Sequence, residues 1–79
     1  MEEYKNKILQ ILQEINPYEE IMEDTELIET EILDSVSILV LVTELEEEFK
    51  IEIDEKFIVP EKFATVQTIV ELLEQLREE

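Results

Sequence analysis

The fold is decided by the stretch SVSILVLVTELEEEF, which covers residues 35–49. Its apolar residues recur at the spacing of one helix face, namely i, i+3, i+4, i+7 and i+11. They are Ile38, Leu41, Val42, Leu45 and Phe49. Carboxylates fill much of the second half of the stretch. It therefore predicts an amphipathic helix that packs one face against a core.

Two further stretches with helical periodicity flank this one. The first comprises Tyr4, Ile8, Ile11, Leu12 and Ile15, and the last comprises Val66, Ile69, Val70, Leu73 and Leu76. Pro17 should end the first helix, since the residue before a proline avoids helical angles. Thr65 is a suitable N-cap for the last helix. The aromatic residues Tyr4, Phe49, Phe57 and Phe63 are predicted to lie in the core.

The connections complete the predicted architecture. Residues 17–33 form a long first loop, and residues 57–63 contain Pro60 and have room only for a short helix. Because the chain has no glycine, Lys50 should be the residue that ends the middle helix, and if it is left-handed there the strain is about 1 kcal/mol. We therefore predict an all-α fold, a small four-helix bundle with three long helices and a short third helix. The length predicts one small domain that covers residues 1–79.

Charge restricts the partners of this chain. Its 79 residues include 23 Asp or Glu and 6 Lys or Arg, which gives a net charge of −17. Such a chain is repelled by nucleic-acid phosphates and anionic membrane surfaces, so basic protein surfaces are the expected partners. No apolar run is long enough for membrane insertion. A soluble, cytoplasmic monomer is the expectation.

The missing residue types exclude several classes of enzyme. Without Cys or His there is no thiolate, no imidazole metal ligand and no Ser-His catalysis. Without Gly there is no Walker loop, dinucleotide fingerprint or ordinary calcium loop. No metal site is predicted. A small enzyme with a carboxylate pair is the weakest hypothesis, because so small a helical domain offers little room for a cleft.

The candidate site is the pair Asp34 and Ser35, at the start of the middle helix. A helix N-terminus carries partial positive charge and free N–H groups, which favour a phosphate on Ser35. Asp34 could accept a hydrogen bond from the helix and help hold a divalent cation during phosphoryl transfer. The alternative is that the pair is only a helix cap.

Three stretches of this chain resemble phosphopantetheine-dependent acyl and aminoacyl carrier proteins. LIETEILDSVS (residues 27–37) resembles the segment around the modified serine of that family. LEEEFKIEI (residues 45–53) resembles the end of the second helix, and IVPEKFATV (residues 58–66) resembles the short third helix and the start of the fourth. The likeness covers almost the whole chain. Among the members of the family, the chain resembles the freestanding carriers, including D-alanyl carriers.

The resemblance implies a function and its residues. Ser35 would receive 4′-phosphopantetheine from coenzyme A through a Mg²⁺-dependent phosphopantetheinyl transferase, with Asp34 beside the metal and Val36 docking partner enzymes. An acyl or aminoacyl group would then be held as a thioester on the arm. The implied partners are an activating ligase and a downstream acyltransferase or synthase, in fatty acid biosynthesis, secondary metabolism or another dedicated pathway. The domain itself would not be an enzyme.

This chain departs from the family pattern in two places. The family often has Gly shortly before the aspartate, where this chain has Glu31 and Ile32. The resemblance therefore does not define the backbone conformation at these two residues. Fatty-acid carriers commonly have acidic residues after the serine, where this chain has Ser37 and Val40. The second departure favours a carrier that serves a dedicated ligase or adenylating enzyme.

The residues on the outward face of the middle helix have two possible interpretations. Val36 and Val40 are either additional core residues or an apolar docking patch. Glu44 and Glu47 are either a solvated face or partner-binding carboxylates that pair with basic residues. A different class of function, an acidic interaction module that binds a basic protein, is consistent with the charge alone.

Overall fold

The computed structural model describes residues 2–78, and in these residues it is helical with no strand. Three α-helices are present: α1 (Glu2–Ile15), α2 (Ser35–Phe49) and α3 (Val66–Glu78). Two short 3-10 turns, Glu55–Phe57 and Pro60–Phe63, lie between α2 and α3. The all-α prediction is therefore confirmed. None of the described helices combines the length and hydropathy that crossing a bilayer requires.

The predicted short third helix is replaced by the two 3-10 turns. Val59 is extended, with φ −131° and ψ 153°, immediately before Pro60, as a residue preceding proline should be. This break leaves runs too short for an α-helix. Each turn is instead closed by i to i+3 bonds, in which Ile58 N–H donates to Glu55 O at 3.0 Å and Lys62 N–H to Val59 O at 3.0 Å.

One apolar cluster fills the space between the helices. It takes the predicted faces of all three helices and adds residues from both connections. Its buried members are Tyr4, Ile8, Ile11, Leu12, Leu27, Ile32, Leu33, Ile38, Leu41, Val42, Leu45, Ile53, Phe63, Val66, Ile69, Val70, Leu72 and Leu73. Phe49 and Phe57, which we predicted to be core residues, are only partly buried against it.

The connection between α1 and α2 is held against the rest of the molecule by its backbone. Leu27 N–H donates to Ala64 O at 2.8 Å, and Leu33 N–H donates to Leu27 O at 2.9 Å. Leu27 and Leu33 are both buried. The end of this connection is thereby fixed, and with it the position at which α2 begins.

Two non-glycine residues adopt the left-handed conformation. Lys50, with φ 54° and ψ 51°, ends α2 as predicted, and its N–H donates to Glu46 O. Glu31 has φ 63°. Glu31 is one of the two positions where the resemblance led us to expect glycine, so the backbone there follows a path that usually requires glycine.

We expect Glu31→Gly to stabilise the protein by about 0.5–1 kcal/mol. The left-handed conformation costs a residue with a Cβ about 1–2 kcal/mol, which exceeds the entropy cost of about 0.5–1 kcal/mol that glycine adds. Urea unfolding measures the change. Glu20→Gly is the matched control, because Glu20 is exposed and is not among the residues with positive φ. It should lower stability, and a parallel loss in Glu31→Gly would show that residue 31 is unstrained.

Candidate functional site

The site is built around the first turn of α2. Asp34 is extended, with φ −114° and ψ −175°, and its Oδ1 accepts a hydrogen bond from Ser37 N–H at 2.8 Å. Ile38 N–H donates to Asp34 O at 2.9 Å and closes the first turn. Asp34 is therefore the N-cap, and Ser35 is the first residue of the helix. The Ser35 side chain is exposed, so a modifying enzyme can reach its hydroxyl.

A groove of about 420 Å³ opens beside this hydroxyl. Its wall combines the start of α2, the end of the preceding loop and the segment that carries the 3-10 turns. The lining residues are Ile28, Leu33, Asp34, Ser35, Ile38, Leu39, Glu55, Ile58 and Pro60. Most of them are apolar, and the volume is within the range of small-molecule sites. The exposed Ser35 thus lies on the edge of an apolar space.

The outward face of α2 carries an apolar patch, which consists of Val36, Leu39 and Val40. Their exposed fractions are 69%, 55% and 44%. Val36 and Val40 are therefore surface residues, and the alternative in which they belong to the core is excluded. Glu44 and Glu47, further along the same helix, are also exposed. An apolar centre with charge at its edge is the usual composition of a protein interface.

The charged residues that flank Ser35 in the sequence are all acidic. No Lys or Arg occurs between residues 8 and 49, a segment that includes Asp34, Glu44 and Glu47. In the described part of the chain, no group of three or more carboxylates is arranged to hold a metal ion. The surface is thus suited to a positively charged partner.

The hydrogen bond from Ser37 lowers the pKa of the Asp34 carboxyl below its usual value of 3.8, because the N–H groups of the first helical turn favour its charged form. The carboxylate is consequently ionised at neutral pH. It places a negative charge on the residue directly before Ser35.

We expect the stability difference between wild type and Asp34→Asn to depend on pH. Asn caps a helix as well as Asp but carries no charge. Because the pKa of Asp34 is lower in the folded state, its contribution is fully present above pH 3.8 and is lost as the pH falls below that value. Urea unfolding of both proteins from neutral to acidic pH measures the difference. A constant difference across that range would contradict the assigned cap.

Comparison with known proteins decides the family. Residues 6–76 match the phosphopantetheine attachment site family. The chain belongs to this family. The carrier is also 32% identical, over 79 residues, to the D-alanyl carrier protein of Bacillus mycoides (strain KBAB4), a match that covers 98% of this chain and 100% of the relative. No solved structure gives a significant match.

Family membership establishes the general role of the carrier. It is a phosphopantetheine carrier protein, as the resemblance indicated, and its prosthetic group is 4′-phosphopantetheine. It is a carrier and not an enzyme. As a carrier it works with modifying enzymes such as transferases and ligases.

The site includes residues that the sequence analysis did not predict. Leu39 was not predicted, although its position beside Val36 and Val40 on the outward face of α2 was a usable signal. Ile28, Glu55 and Ile58 also line the groove. They come from other elements, and no spacing in the sequence indicates that they meet Ser35.

Proposed function

We propose that Ser35 is the residue to which 4′-phosphopantetheine is attached. The observation that carries the proposal is the exposed Ser35 side chain at the start of α2, inside the region that matches the family. The residues around it fit the group. The helix N-terminus favours a phosphate, and the apolar wall of the groove offers contacts to the rest of the arm. Ile38, Leu39 and Ile58 are the groove residues that would hold it.

The arm supplies the terminal thiol that this chain, without Cys, lacks, and an acyl or aminoacyl group is held on that thiol as a thioester. The residues of the chain hold the arm in position and do not catalyse a reaction. In the transfer, the Ser35 hydroxyl would give up its proton to a base of the transferase, and Oγ would bond to the phosphorus next to the pantetheine of coenzyme A. The P–O bond between the two phosphates of the pyrophosphate would break, and adenosine 3′,5′-bisphosphate would leave. Asp34 places its carboxylate beside this hydroxyl, where it can contact the Mg²⁺ that the phosphopantetheinyl transferase brings.

The cargo we propose is an aminoacyl group in a dedicated pathway. Two observations support it: the relative in Bacillus mycoides is a D-alanyl carrier protein, and Ser37 and Val40 are uncharged where fatty-acid carriers are commonly acidic. An activating ligase would load the arm, and an acyltransferase or synthase would unload it. Coenzyme A is the donor of the arm, so the proposed location is the cytoplasm.

The proposed docking surface for these enzymes is the outward face of α2. Val36 and Val40 form its apolar centre together with Leu39, and Glu44 and Glu47 form its acidic edge. A partner with an apolar depression and basic residues at the rim is complementary to it. The net charge of −17 opposes self-association, so the carrier is proposed to be a monomer.

Modification in vitro tests the proposal. The purified apoprotein is incubated with coenzyme A, Mg²⁺ and a broad-specificity phosphopantetheinyl transferase, and the intact mass is measured. We expect the addition of one phosphopantetheine per chain. A chain that stays unmodified with several transferases would refute the proposal. The mass of the protein from its own cells, with fragmentation of the arm, then identifies the cargo.

A further inference from the structure

Tyr18 is an exposed aromatic residue that the proposed function does not use. Its side chain is 99% exposed, whereas Tyr4 is 6% exposed. Tyr18 therefore contributes almost nothing to the apolar cluster. Tyr is among the residue types most enriched at protein interfaces and at their energetically dominant positions. A ring in this position gains free energy only when a partner covers it.

The turn that carries Tyr18 is fixed by hydrogen bonds. Glu19 N–H donates to Asn16 O at 3.1 Å. Gln13 Nε2 donates to the carbonyl oxygens of both residues, at 3.0 Å to Asn16 O and 2.8 Å to Glu19 O. Because the backbone of this turn is already ordered, little backbone entropy is lost when a partner binds the Tyr18 ring.

A third contact places this turn at the same end of the molecule as Ser35. Asn16 Nδ2 donates to Ile32 O at 3.2 Å. Ile32 is three residues before Ser35, so their Cα atoms are at most about 11 Å apart. A standard interface covers about 800 Å² of one partner, which corresponds to a footprint about 30 Å across. A single partner can therefore cover Ser35 and Tyr18 together.

The charge around Tyr18 identifies the chemistry of that partner. Glu19 and Glu20 follow it directly and are exposed, and the nearest basic residues in the sequence are Lys7 and Lys50. A second copy of this chain, itself at −17, is repelled by such a surface. A basic protein surface with an apolar depression for the ring is complementary to it.

We propose that Tyr18 docks the enzyme that attaches the arm to Ser35. This inference rests on the proposed function. Enzymes that load or unload cargo act at the far end of the arm, whereas the transferase reacts with the Ser35 hydroxyl itself. Its surface must cover the residues that surround Ser35, and a footprint of standard size extends from there to the Tyr18 turn.

The rate of modification tests the proposal. Wild type and Tyr18→Ala are compared as apoproteins with coenzyme A, Mg²⁺ and two transferases, a broad-specificity enzyme and that of the source organism. We expect about a tenfold lower kcat/KM for the variant, through a higher KM for the carrier and an unchanged kcat, as for truncation of an interface aromatic. Tyr18→Phe keeps the ring and should stay within about twofold of wild type, since packing is the main loss.

Met22→Ala is the matched control. Met22 is 57% exposed and belongs to the same loop, but it lines a different groove, which it shares with Lys5 and Leu9 of α1. Its kcat/KM should equal that of wild type. The proposal is overturned if Tyr18→Ala is modified as efficiently as wild type by both enzymes, or if Met22→Ala loses as much. It is also overturned if wild type sediments as a dimer that only Tyr18→Ala dissociates. Failure of wild type to be modified would instead refute the proposed function.

Discussion

We expect Ser35→Ala to abolish the addition of phosphopantetheine, because in the proposed attachment Oγ makes the new covalent bond and a methyl group cannot form it. This is the largest effect we expect of any single substitution. The protein should remain folded, since the Ser35 side chain is exposed and makes no contribution to the apolar cluster. Intact mass after incubation with coenzyme A, Mg²⁺ and a transferase measures the loss.

Ser37→Ala is the control for that result. Ser37 lies in the same first turn of α2. Its backbone N–H, which donates to Asp34 Oδ1, is retained in the variant. Two threonine hydroxyls of the same region are already engaged in hydrogen bonds to the backbone. Thr30 Oγ1 donates to Glu26 O at 2.6 Å, and Thr43 Oγ1 donates to Leu39 O at 2.9 Å. Addition to Ser35→Ala, or its loss in Ser37→Ala alone, would move the attachment point away from Ser35. Tight binding of a basic partner by unmodified Ser35→Ala would favour the acidic interaction module.

Phe63→Ala should remove a large part of the stability of the domain. Phe63 is fully buried, at 0% exposure, and ends the 3-10 turn Pro60–Phe63. Replacing a buried Phe by Ala costs about 3–5 kcal/mol. A domain of this size has about 4–12 kcal/mol in total. We expect the melting temperature, followed by circular dichroism, to fall by at least about 12 °C.

Phe57→Ala is the matched substitution in the other 3-10 turn. Phe57 is only partly buried against the cluster, and the Lys56 ammonium lies 5.2 Å from its ring centre. Less apolar surface is lost, so the decrease in melting temperature should be less than half that of Phe63→Ala. Equal decreases would mean that the partly buried Phe57 contributes as much to stability as the fully buried Phe63, and would contradict the prediction.

The helices themselves were predictable because their information is local. The spacing of Ile38, Leu41, Val42 and Leu45 determines which face of α2 is buried, and the structure buries that face. Pro17 ends α1 near Ile15, and Lys50 ends α2 in the left-handed conformation. The positions of Asp34 and Ser35 at the start of α2 follow from the same local rules.

The segment 55–63 shows where local reasoning stops. The sequence predicts at most a short helix over residues 57–63, but it does not decide between an α-turn and 3-10 turns, which both occur as short connecting pieces. Packing of Phe63 and the bond between Leu27 N–H and Ala64 O fix the segment in its observed form. These contacts join residues that are far apart in the sequence.

Local patterns predict the helical class, the start of α2 at Ser35 and the strong negative charge, since periodicity, capping and ionisation depend on residues close along the chain. The folded molecule shows three things that these patterns do not contain: Val36 and Val40 face solvent, Ile28 and Ile58 share one groove with Ser35, and Tyr18 lies at the Ser35 end. The physical reason is that exposure and distance depend on how the helices and loops pack against one another. That packing is a sum of many contacts between distant residues, and no local pattern contains it.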